Sequence, residues 1–175
     1  VVTAVLNTIE PLLNTPFSAK RDARGTTLLK LVRSCVREAE IAERTDVEIP
    51  AEGFNLRGRT VREIRYPLVE LLLNARLASQ NQSMPIRISA IHGVWAGARC
   101  CFVEISNPVA GRLDARVTSI MYRSAVARDR GGWGAYLAAE RIRSAGGDVF
   151  LTSADMSEIT TTIRLPLSKR RTSGG

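Results

Sequence analysis

A chain of 175 residues that is 45% hydrophobic and 24% charged has the length for one domain with a small appendage and enough apolar residues to bury a core, which excludes a globally disordered polymer. Its net charge of +8, from 25 basic and 17 acidic residues, suits a nucleotide, a nucleic acid or an acidic protein as partner, and equally a plain basic surface. A single histidine, His92, rules out a typical zinc site. The cysteines Cys35, Cys100 and Cys101 lack metal-ligand spacing and read as reduced thiols of a cytoplasmic setting, and no apolar run reaches membrane-spanning length.

The chain opens on Val1 rather than Met, so it reads as an excised piece of a protein whose membrane anchor, if there is one, lies elsewhere. Val2, Val5, Leu6, Ile9, Leu12 and Leu13 form a helical apolar stripe with nothing local to cover it, stopped by Asn14-Thr15-Pro16. Ser18 to Gly25 is a polar, basic linker. Thr26-Thr27 opens a second helix with Leu28, Leu31, Val32, Cys35, Val36 and Ala39 on its buried side, expected to run to about Arg44. Asp46 to Pro50 and Phe54 to Gly58 are short strand candidates.

Thr60-Val61-Arg62-Glu63 reads as a capping box that starts a helix. Val61, Ile64, Leu68, Leu71, Ala75 and Ala78 give it a buried face, while Glu63, Glu70 and Asn74 lie elsewhere and Pro67 should kink it or remove one hydrogen bond. Ile86 to Ile91 and Cys100 to Ser106 alternate as strands joined through Gly93 to Gly97, with Cys100 and Cys101 on opposite faces and Asn107-Pro108 as a stop. Val109 to Gly131 is a long arginine-rich loop. Gly132 to Ala145 reads as a helix closed by Gly146-Gly147, Asp148 to Ser153 and Thr160 to Leu167 as a closing strand pair, and Ser168 to Gly175 as a frayed basic tail. Strands gathered in one layer and helices in another predict a two-layer α/β sandwich with an N-terminal helical segment.

Two stretches carry chemistry. In Glu70-Leu71-Leu72-Leu73-Asn74-Ala75-Arg76-Leu77-Ala78-Ser79 a carboxylate and a carboxamide four residues apart share one helix face. The amide oxygen can ligate Mg²⁺, and the carboxylate can orient or deprotonate a nucleophile. In Gly131-Gly132-Trp133-Gly134-Ala135-Tyr136-Leu137 glycines open a later helix, an arrangement able to cradle phosphates. Together these resemble the N-box and G2-box of the ATP-binding domain shared by sensor histidine kinases, gyrase B, Hsp90 and MutL, the GHKL superfamily with its Bergerat-type fold.

The order of motifs resembles the catalytic domain of a sensor histidine kinase over roughly Thr26 to Leu167. Asp46-Val47-Glu48-Ile49 resembles its early strand, Phe102-Val103-Glu104-Ile105-Ser106-Asn107-Pro108 the strand into its G1-box, and Thr160-Thr161-Thr162-Ile163-Arg164-Leu165-Pro166-Leu167 its closing strand. The resemblance implies residues 1–25 as the end of a dimerisation hairpin, 26–167 as the ATP-binding domain and 168–175 as a tail. It implies ATP and Mg²⁺ as ligands, Asn74 as the metal-holding residue, and Glu70 as the catalytic base or the orienter of the acceptor. It further implies Ser106, Asn107, Arg128, Arg130, Gly132, Gly134 and Thr161 as nucleotide-binding residues. Arg128 and Arg130 belong to the loop that would be the ATP lid, where guanidinium forks match phosphate geometry.

The chain also departs from the family pattern. Ser106 stands where the G1-box Asp receives the adenine amino group, with Asn107 beside it as a substitute. Leu77 stands where a basic residue is usual, with Arg76 one place early. Arg130 replaces the first glycine of the G2 pattern. Glu158 and Ile159 fall on the glycine and threonine before the final strand, with Thr160 to Thr162 following at once. His92 reads as a packed strand histidine rather than a phosphoacceptor, and Trp133 and Tyr136 as core residues rather than base-stacking groups.

Two functions follow from the resemblance. One is a divergent protein-histidine kinase domain that binds Mg-ATP and donates the γ-phosphoryl group to a histidine outside this stretch. The other is an inactive module of the same fold, a pseudokinase or dimeric histidine phosphotransferase, that binds a response regulator. The implied partners are a response regulator or a histidine-bearing dimerisation domain, and a second copy along the Val2 to Leu13 stripe. A nucleic-acid role has only the charge and the Lys169-Arg170-Arg171 tail behind it, without a DNA-reading motif.

Overall fold

Leu28, Leu31, Val32, Cys35 and Val36 recur at helical spacing. In the computed structural model, which describes residues 26–79, 83–109, 133–152 and 157–167, they form the buried side of α1 (Leu28–Glu38). Thr27, in the short strand β1 (Thr26–Thr27), caps the helix by accepting from Lys30 N at 3.4 Å. The helix stops short of the expected Arg44. Glu40 adopts φ 56°, Glu40 N donates to Arg37 O and Ile41 N to Val36 O, a Schellman closure with Val36 and Ile41 both buried. A 3-10 turn, Ala42–Arg44, then leads into β2 (Thr45–Glu48).

β3 (Asn55–Leu56) pairs antiparallel with β1 and delivers the chain into α2 (Gly58–Ala78). This helix begins before the residue expected to cap it, which corrects the capping-box reading. Arg57 is the N-cap, Thr60 is buried inside the first turn, and Glu63 pairs with Arg59 (Nε–Oε1 2.7 Å) instead of reaching back to the helix start. Pro67 is buried within α2 and the helix continues through it, without the N–H that would have bonded the Glu63 carbonyl.

β4 (Ile86–Trp95) and β5 (Ala98–Pro108) are longer than the alternation predicts, because their pairing runs unbroken from Arg87↔Ser106 to Trp95↔Ala98. The connection is the two-residue turn Ala96-Gly97, with φ 49° and 76°, whose twist matches that of the flanking strands. Asn107 and Pro108 do not stop β5, since they pair with Ile159 and Glu158 of β7 (Glu158–Pro166). β6 (Asp148–Thr152) pairs with β7, and β2 runs parallel to β4, giving the five-stranded order β2-β4-β5-β7-β6.

Alternation along β5 sends Cys101, Val103 and Ile105 into the core and leaves Phe102, Glu104 and Ser106 on the other face. The core-facing set meets the buried sides of α1, α2 and α3 (Trp133–Ser144), which completes the two-layer α/β sandwich. α3 ends as its sequence indicates, with Gly146 at φ 80°, Gly146 N bonded to Arg143 O and Gly147 N to Ile142 O. Cys100 and Cys101 fall on opposite faces, and all three cysteines are free and buried. No helix among the described residues is long and apolar enough to cross a membrane. The Val2 to Leu13 stripe, the linker to Gly25, positions 110–131 of the arginine-rich loop and the basic tail lie outside the described residues.

Candidate functional site

α2 and α3 pack side by side, and the contacts between them fix an antiparallel register. Gly134, in the first turn of α3, lies against Glu70, while Arg141, two turns on, lies against Tyr66. The approach at Gly134 is close: a Cβ there would stand 2.7 Å from Glu70 Oε2, so the absence of a side chain is what admits the carboxylate. Tyr66, Glu70 and Asn74 follow at i, i+4 and i+8 and form one stripe of α2. Burial first, and then the Glu70 carboxylate, push the Tyr66 hydroxyl above its ordinary range. The Arg141 guanidinium carbon sits 5.2 Å from the centre of the Tyr66 ring, a cation–π contact that steadies the ring from the α3 side.

One turn beyond Glu70, Asn74 has a buried Nδ2 with no hydrogen-bond partner. A buried amide left unmade costs about 1–3 kcal/mol, which native proteins tolerate where a ligand completes the bond. A half-turn of the carboxamide presents either its NH₂, suited to a phosphate oxygen, or its oxygen, suited to a hard cation, to the same point. Among the described residues no group of three or more His, Cys, Asp or Glu side chains could cage a metal. The donor set thus fits Mg²⁺ held by one amide oxygen together with phosphates and water, the usual manner for that ion.

The end of the β5–β7 pair separates the remaining candidates by face. Asn107 is buried on the helix-covered side, its Nδ2 donating to Pro108 O at 3.2 Å, and Thr161, opposite Ile105, is buried on the same side. Ser106 points the other way and shares a 2.8 Å hydrogen bond with Thr160. It lies on the face of the sheet opposite Asn107 and the helices, with its hydroxyl engaged. Gly134 joins Glu70, whereas Arg128, Arg130 and Gly132 lie outside the described residues.

Arg76 does not substitute for the missing basic residue at Leu77. Its Nη1 donates to Ala39 O at 3.1 Å and lies 3.7 Å from Glu40 Oε2, bracing the C-terminus of α1. Glu158 is likewise committed, to Arg87 at 2.6 Å. His92 is exposed on β4 and stacks on Phe54 with ring centroids 4.1 Å apart and planes 11° apart. Tyr66 and Arg141 were not singled out from the sequence. The signal for Tyr66 was its place four residues before Glu70, while Arg141 had none short of the α2–α3 register. A cavity of about 880 Å³ lies at the far end of the helix pair, lined by Thr60 and Glu63 at the start of α2 and by Ser144 to Gly146 at the end of α3.

The five-stranded mixed sheet under three helices is a histidine-kinase-like fold. It is similar to the solved structure of the Acinetobacter baumannii histidine kinase AdeS, with a TM-score of 0.59 and 13% sequence identity over 95% of this chain and 77% of that one. No family model matches the chain, and no curated protein matches it.

Proposed function

We propose that this chain is the ATP-binding catalytic domain of a divergent sensor histidine kinase of the GHKL type. The observation that carries the reading is the Gly134–Glu70 contact, with the unpartnered Asn74 amide one turn further along the same stripe. Asn74 holds the metal–phosphate group. The main chain at Gly134 borders the phosphates, and Glu70 orients or deprotonates the incoming acceptor from its place beside Gly134. When bound with the nucleotide, Mg²⁺ supplies charge neutralisation at the phosphates. Asn107 and Thr161, buried on the helix side of the sheet, offer an amide and a hydroxyl to the base. Arg128, Arg130 and Gly132 are assigned to the phosphates on the resemblance alone. The histidine that accepts the phosphoryl group lies outside this stretch.

A second reading has its own support. The place of the base-recognising carboxylate is taken by a serine turned away from the helices, and its inward neighbour Asn107 is neutral, so recognition of the adenine amino group has no charge-assisted bond. That favours an inactive module which binds a response regulator. Calorimetric titration with ADP and a non-hydrolysable ATP analogue, with and without Mg²⁺, decides between them. Micromolar, Mg²⁺-dependent binding is expected for the kinase domain. Absence of binding at millimolar nucleotide overturns it in favour of the docking module.

A further inference from the structure

A basic groove runs between α1 and α2 on a different stripe of α2 from the one that carries Glu70 and Asn74. Lys30, Arg33 and Arg37 follow one another at i, i+3 and i+7 along the exposed side of α1, a row of charge about 10 Å long. Arg65 faces them from α2, with Nη2 3.0 Å from Ser34 Oγ and 2.8 Å from Glu38 Oε2. With Thr26, Leu31 and Val61 these residues line a cavity of about 480 Å³ whose floor is apolar, since Leu31 and Val61 are buried. Arg65 has its carboxylate. Lys30, Arg33 and Arg37 make no ion pair among the described residues, and the first turn of α1 contains no acid to answer them. Like charges at this spacing repel, which gives no stability to α1 and leaves the row complementary to something outside it.

We infer that this groove docks an acidic helical segment of a partner protein, one with carboxylates at i, i+3 and i+7. Two helices share the same rise, so carboxylates at that spacing meet Lys30, Arg33 and Arg37 in register, and guanidinium forks grip carboxylates bidentately. The apolar floor suits the methylene stems of Glu side chains. The lining contains no aromatic side chain on which a base could stack, which sets the groove apart from a single-stranded nucleic-acid channel. The inference does not depend on nucleotide binding, because it uses none of the residues assigned to the phosphates.

The test is fluorescence anisotropy of the full chain with a labelled alanine-based peptide carrying Glu at i, i+3 and i+7, beside a labelled oligo-dT of similar length. Saturable, salt-sensitive peptide binding is expected, weakened at least about tenfold in the doubly reversed variant Arg33→Glu/Arg37→Glu and restored for that variant by a peptide with Lys in place of Glu. Both substituted side chains are exposed, and circular dichroism confirms the variant's fold. Absence of saturable binding, or equal affinity of the reversed variant for the acidic peptide, overturns the inference. So does tighter binding of oligo-dT that is lost in the same variant, which assigns the groove to nucleic acid.

Discussion

At the scale of single residues, the site rests on a glycine and an orphaned amide. If the Asn74 carboxamide is kept for a ligand, Asn74→Ala removes a buried unpaired group and leaves thermal stability unchanged or slightly raised, while Mg²⁺-dependent nucleotide affinity disappears. A melting curve and the calorimetric titration together check this, and a marked loss of stability would show the amide to be structural instead. At Gly134, the atom a Cβ would meet is the far end of a flexible carboxylate, so Gly134→Ala should leave the fold intact and swing Glu70 aside. Tyr66 then loses a neighbouring carboxylate, and part of what holds its hydroxyl above the ordinary range goes with it. The spectrophotometric titration of Tyr66, isolated by difference from Tyr66→Phe, is expected to move to lower pH in the alanine variant. The shared helix face of Glu70 and Asn74 and the place of Gly134 at the head of a later helix were legible in the sequence, because helical spacing is local. The part of Tyr66 was not, because a tyrosine on a helix is more often a packing residue than a neighbour of a carboxylate and an arginine.

At the scale of elements, both helix ends with Schellman closures yield opposite predictions. Gly146-Gly147 ends α3 as its sequence announces, and a Cβ at Gly147 would lie 2.6 Å from Arg164 O, a backbone atom that cannot swing away. Gly147→Ala should therefore destabilise the fold by about 1–3 kcal/mol, read as a lowered urea midpoint with unchanged slope. Glu40 occupies the equivalent left-handed position after α1, at φ 56°, where a Cβ is strained. Glu40→Gly relieves that strain and gives up only an exposed ion pair with Arg76 at 3.7 Å, so a stabilisation of about 1 kcal/mol, or about 2–4 °C in melting temperature, is expected. Helix periodicity alone carried α1 on to Arg44, because apolar spacing says nothing about a closure formed by a glutamate. The start of α2 was misplaced for a related reason: the Thr60–Glu63 pattern matches a capping box, but the β1–β3 pairing leads the chain into the helix upstream of it.

At the scale of the whole molecule, two thiols in one core tie stability to pH. Burial pushes Cys35 and Cys101 from an ordinary 9.0 up to about 12, so between these values the unfolded chain releases protons that the folded chain keeps. The stability they contribute is complete below pH 9 and is lost as pH rises towards 12, by up to about 1.4 kcal/mol per pH unit for each thiol. Denaturant midpoints under reducing conditions should fall across this window, and more gently in Cys35→Ala/Cys101→Ala, where the slope with pH is the readout rather than the absolute midpoint. The layered architecture was legible from periods and punctuation: 3.6 for α1 and α2, two for β4 and β5, and the Gly146-Gly147 closure for α3. What those periods could not supply was parity and partnership. Ser106 and Asn107 are neighbours in the sequence, yet one residue of offset along a strand turns a side chain to the opposite face, so only the pairing of β5 with β7 and the cover of the helices decided that Asn107 faces inward and Ser106 does not. Likewise, local pattern placed Glu70 and Asn74 on one helix face and Gly134 at the head of another, because helical spacing is a property of the chain itself. That Gly134 meets Glu70, that Arg141 covers Tyr66 and that the Asn74 amide is left without a partner were decided by the packing of α2 against α3, since contacts between distant segments depend on how their surfaces fit.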